Sequence, residues 1–100
     1  MERPTIKING EVRYMPAVKA RMWREVIKFE EERKSLPTID MLDKHCEIIA
    51  KIFGTTTDEV LDNLEIADVM PSYYAILNYI AAMLTEKLKA DKKNEEVAEI

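Results

Sequence analysis

From Thr5 to Met15, apolar and polar residues alternate around Asn9-Gly10. An Asn-Gly pair between two short runs of β-branched and aromatic residues predicts a β-hairpin. A two-residue loop would set Ile8 opposite Glu11 and Ile6 opposite Arg13, leaving Val12 and Tyr14 on the other face. A three-residue connection instead gathers Ile6, Ile8 or its neighbour, Val12 and Tyr14 on one apolar face, with Gly10 at a positive φ. The odd-length loop is therefore the expectation. Pro16 then ends the strand and is suited to the first turn of a helix over Ala17 to Lys34. Along that helix Val18, Met22, Val26 and Phe29, joined by Trp23 and Ile27, make a buried stripe. Glu30 to Lys34 form its solvated end, and Ser35-Leu36-Pro37 breaks it.

Thr38 is placed as the cap of a second helix, whose Ile39, Leu42, Cys46, Ile49, Ile52 and Phe53 share one face until Gly54 stops it. Thr56 and Glu59 have capping-box spacing and open a short helix to about Asn63 that presents Val60 and Leu61 inward. The last helix is expected from near Asp68 to Pro71 through about Ala90, with Pro71 tolerated only in the first turn. It carries two apolar stripes: Val69, Tyr73, Ile76, Ile80 and Met83, and beside them Tyr74, Leu77, Ala81, Leu84 and Leu88. One stripe fills the core of a domain this small, and the surplus predicts a partner surface at Tyr74, Leu77, Ala81, Leu84 and Leu88. Residues 91–100 are charged and unpatterned, and are expected to be a flexible tail. The fold class expected is mostly α: an N-terminal hairpin and three to four helices in one domain over residues 1–90, a small α+β or all-α domain.

One hundred residues, 47% of them apolar, suffice for one modest core and no second domain. The longest apolar stretch is broken by Ser72 and Asn78 and is too short for a bilayer, so no membrane segment is expected. The first residues carry Glu2, Arg3 and Lys7 and do not read as a secretory signal. A single cysteine, Cys46, excludes an intrachain disulfide and a thiolate zinc site, and suits a reducing cytosol. Residues 1–34 hold nine Lys/Arg against six Asp/Glu, whereas residues 35–70 hold two against eight. That asymmetry suits an intramolecular packing or a head-to-tail contact between copies better than nucleic-acid binding.

No catalytic set emerges. His45 is the only histidine and has no nucleophile beside it, while Cys46 reads as a small buried hydrophobe. The acids Asp58, Glu59, Asp62, Glu65 and Asp68 lack the spacing of a calcium loop, and two glycines cannot build a phosphate cradle. Lys19, Arg21, Arg24 and Lys28 give the first helix a basic side, but acids interleave and no helix-turn-helix signal accompanies it. The chain thus reads as a non-enzymatic binding module without metal or cofactor. A small nucleic-acid-binding regulator is the alternative.

Read in order, Ile6-Lys7-Ile8-Asn9-Gly10, Pro16 to Arg24 around Trp23, Ile52-Phe53-Gly54, Thr57 to Leu64 and Val69-Met70-Pro71 resemble the tail assembly chaperones of siphophages and their prophages. Asn63 departs from the glycine often found there. The resemblance implies a protein that binds and solubilises the tape-measure protein and helps recruit tail-tube subunits. It further implies residence in the host cytoplasm and absence from the mature virion; the surplus apolar face and the charge asymmetry admit a homo-oligomer as well, and a head-tail connector-type structural protein is a further alternative. It also implies a longer frameshifted form, for which codons at Lys93-Asn94 could supply a slippery run. Six methionines and an over-apolar last helix fit a protein that holds helical clients.

Overall fold

The computed structural model describes the backbone of residues 2–99 and the side chains of residues 2–89. Strands β1 (Thr5–Ile8) and β2 (Glu11–Tyr14) form an antiparallel hairpin closed by the two-residue loop Asn9-Gly10, not the predicted three-residue one. Asn9 (φ 51°) and Gly10 (φ 80°) both sit in the left-handed region, as a type I′ turn requires and as Asn-Gly supplies at little steric cost. Turn chemistry therefore overrides the apolar pattern. Ile6 and Ile8 enter the core opposite Arg13 and Glu11, while Val12 and Tyr14 fall on the other face and stay exposed.

Helix α1 spans Ala20–Glu32, beginning later than predicted, and Pro16 lies before it and outside its first turn. Met15 explains the delay: its side chain is buried and its N–H donates to the Pro4 carbonyl at 2.9 Å, so the chain needs an extended passage before it can coil. Val26 and Phe29 are buried along α1, Met22 and Trp23 on it and Val18 just before it are partly so, and Ile27 is exposed. A 3-10 turn, Arg33–Ser35, ends the segment.

Helix α2 (Thr38–Phe53) is capped by Pro37, not Thr38. Pro37 is extended and its carbonyl accepts the first helical bond from Met41, which leaves Thr38 already inside the helix. Ile39, expected on the buried face, is exposed because the first turn of α2 overshoots the core. Farther along, His45, Cys46, Ile48, Ile49, Ala50, Ile52 and Phe53 are all buried, because α2 packs against α1, α3 and α4 and has several covered faces. Gly54 closes it at φ 74°.

Helix α3 (Thr57–Asn63) is capped as predicted: the Thr56 hydroxyl accepts from the Glu59 N–H at 3.2 Å. Val60 is fully buried, but Leu61 turns outward, since a two-turn helix packed on one side against α2 and β1 has a single inward line. Helix α4 runs Ile66–Glu99, with Pro71 as its sixth residue and hence beyond the first turn. The carbonyl that Pro71 leaves without its usual donor belongs to Ala67; both residues are exposed, so water can serve it. The end predicted near Ala90 gives way to a helix that continues to Glu99, and the flexible tail expected at 91–100 lies outside the residues whose side chains are described.

The molecule is thus a small α+β domain, with one hairpin and four α-helices among the described residues. Ile6, Ile8 and Met15 from the hairpin meet Phe29, Ile49, Val60, Tyr73 and Ile76 in one core. No helix among the described residues is long and apolar enough to cross a membrane.

Candidate binding surface on the last helix

Helix α4 enters the core along Val69, Tyr73, Ile76 and Ile80, which are buried in succession at helical spacing. The next positions on that line are Met83, Leu84 and Lys87, and here burial stops: Leu84 is 44% and Leu88 67% exposed. Under this stretch the body consists only of the extended passage after β2 and the start of α1. Between them lies a groove of about 460 Å³, floored by Met15, Pro16, Val18, Trp23, Tyr79, Ile80, Met83 and Leu84 and flanked by Arg3, Lys19 and Lys87. Every charged side chain on its walls is basic. It can hold an apolar helix or chain segment, with acidic groups favoured at its margins.

Of the five residues singled out from sequence, Ala81, Leu84 and Leu88 are exposed, and only Leu84 lines the groove. Leu77 is partly buried against the core. Tyr74 is exposed but stands apart, its ring edge-on to Tyr73 at 5.9 Å and its hydroxyl beside Arg33. The spacing 74, 77, 81, 84, 88 is a 3-4-3-4 heptad seam, the pattern that packs against another helix. The groove adds Trp23, Tyr79 and Met83, which the sequence reading gave to the core or left unused. Their signal was present: Trp23 sits next to Met22 on a stripe wider than a domain of this size can cover.

The groups with potential chemistry are elsewhere. His45 is 2% exposed, packed edge-on against Phe29 (5.1 Å) and Tyr73 (4.5 Å), and its Nε2 has no partner. Burial, and then the nearby Arg33 charge, lower its pKa and hold it neutral. Burial likewise pushes the Cys46 thiol up, helped by Asp43. The Tyr73 hydroxyl donates to Glu30, which also accepts from Arg33 at 3.0 Å. Burial raises the Tyr73 pKa, and so does that hydrogen bond. Burial works against the Glu30 carboxylate, yet the bonds from Tyr73 and Arg33 outweigh it and leave its pKa lowered.

Among the described residues no three His, Cys, Asp or Glu side chains are grouped to hold a metal ion. Glu59 is occupied by the Thr55 hydroxyl, and the Asn63 amide is occupied twice, accepting from the Asn9 N–H and donating to the Glu59 carbonyl, each at 2.8 Å. Asn63 thereby ties the hairpin turn to α3, a role a glycine could not perform.

Comparison with known proteins gives one family match, described as phage tail chaperone protein, over residues 1–98. Neither the curated proteins nor the solved structures compared with the chain hold a match. Because that match takes in the hairpin, all four helices and the groove between them, the chain belongs to the phage tail chaperone protein family.

Proposed function

We propose that the protein keeps the tape-measure protein in solution during tail assembly by seating its apolar helical segments along α4 beyond Ile80, and that it helps bring tail-tube subunits to that complex. The observation that carries this reading is the run of exposed apolar residues on α4, Met83, Leu84 and Leu88, past the end of the body that covers its core line. Family membership supports an interaction with other tail proteins. The basic margins add a preference: client helices with Asp or Glu flanking their apolar face fit better than basic ones. The role is one of binding, without chemistry of its own, and is placed in the host cytoplasm and outside the finished virion.

The test is co-expression with the tape-measure protein, followed by measurement of its soluble fraction. Leu84→Asp combined with Leu88→Asp is expected to abolish solubilisation while far-ultraviolet circular dichroism stays unchanged. Leu77→Asp is the wrong probe, since Leu77 leans on the core and its loss would damage the fold. A double variant that still solubilises the client would overturn the reading.

A further inference from the structure

The hairpin has one covered edge and one open edge. Ile8 and Glu11 flank a two-residue loop and so exchange hydrogen bonds, as do Ile6 and Arg13. The same alternation continues outward, where the Met15 N–H reaches the Pro4 carbonyl at 2.9 Å. The N–H and C=O of Val12 and Tyr14 must therefore point away from β1. Helix α3 packs on β1. Val12 is 53% and Tyr14 67% exposed, and among the described residues neither backbone is engaged outside the hairpin. An open edge with outward donors and acceptors is a template for another strand.

The residues of β2 select the occupant. Glu11 and Arg13 lie two apart and share a face, with Val12 between them on the opposite face. Against an antiparallel copy of itself, with Val12 opposite Val12, β2 sets Glu11 of each chain across from Arg13 of the other. Val12 is an outward-bonding position, so this register also sets the free backbone groups of Val12 against those of Val12 in the second copy. Shifting the register by two residues in either direction brings Glu11 against Glu11 or Arg13 against Arg13, which disfavours the slip. We propose that two copies of this chain associate through β2 about a two-fold axis at Val12, forming a continuous four-stranded sheet. This contact is separate from the α4 groove and leaves that groove open.

Sedimentation equilibrium over a concentration series tests it. The wild-type chain is expected to show a monomer–dimer equilibrium. Val12→Pro removes only an outward N–H, so it should yield a monomer with unchanged helical content. Glu11→Arg and Arg13→Glu should each weaken self-association roughly tenfold or more by opposing like charges twice. Mixing the two single variants, or combining them in one chain, restores opposite charges at both positions and should restore the dimer. A chain that stays monomeric at millimolar concentration, a dimer indifferent to Val12→Pro, or single variants that fail to rescue each other would each overturn the proposal.

Discussion

A histidine in the core of a small domain is unusual, and His45 shows what its neighbours make of it. Its ring fills the space between Phe29 and Tyr73, and its Nε2 is buried without a partner. Desolvation, followed by the Arg33 charge, lowers its pKa from the ordinary 6.5 despite the opposing pull of Glu30. The unfolded chain therefore takes up a proton below about pH 6.5 that the folded chain refuses. Stability from this source is complete above that value and is lost as pH falls from there through the folded pKa. Glu30 acts in the same sense lower down, its contribution present above its ordinary 4.5 and lost below it. His45→Leu should flatten the urea midpoint between pH 7.5 and 5, where the wild-type midpoint falls, and should shift neutral-pH stability by no more than about 1 kcal/mol. An unchanged slope would move the acid sensitivity to another group. Sequence spacing placed Cys46 on the buried face of α2 but left His45 as a bare candidate, because a helix covered on several sides obeys no single stripe.

At the scale of elements, what could be read in advance was what is decided within four or five residues. The capped start of α3 at Thr56 and the left-handed stop of α2 at Gly54 are of this kind, since each depends on a local hydrogen bond or a permitted φ. Thr56→Ala should cost about 1 kcal/mol by freeing the Glu59 N–H, a change visible in the denaturation midpoint. Gly54→Ala should cost a similar amount, about 1 kcal/mol, through backbone strain alone, because an added Cβ there meets nothing within 4 Å. Equal stability of Gly54→Ala and wild type would mean that the left-handed cap relaxes freely. What escaped the sequence reading was fixed by distant partners or by competition between local rules. Helix α1 starts late because Met15 is held under the hairpin, and the loop is two residues because Asn9-Gly10 outweighs the stray Val12 and Tyr14. Pro71 stands in the second turn because the displaced carbonyl faces water. Of the partner surface, the heptad seam from Leu84 to Leu88 was legible as surplus apolar spacing. Trp23 and Tyr79 joined it only once the passage after β2 was seen to run beside α4.

At the scale of the molecule, α4 is one helix with two physical regimes. Its 34 residues span about 50 Å, yet among the described residues its buried positions run only from Val69 to Ile80, roughly 17 Å. A helix stable only through its packing would fray soon after Ile80, unless its own propensity and a later partner sustain it. The residues beyond that point, Ala81, Ala82, Met83, Leu84, Glu86, Lys87 and Leu88, are almost all strong helix formers, so the projecting half can stay helical while exposing apolar side chains. Truncation should therefore divide α4 sharply. Ile76→Ala removes a fully buried side chain and should cost about 2 to 4 kcal/mol in the isolated protein. Leu88→Ala should cost about 0.5 kcal/mol or less, because little around it is lost. With client added, the order should reverse in the binding measurement: Leu88→Ala weakens the complex, whereas Ile76→Ala leaves the affinity of the folded fraction unchanged. Should Leu88→Ala destabilise the free protein as much as Ile76→Ala does, the far half of α4 is already covered in solution. The surface proposed for the tape-measure protein would then have to be sought elsewhere on the molecule.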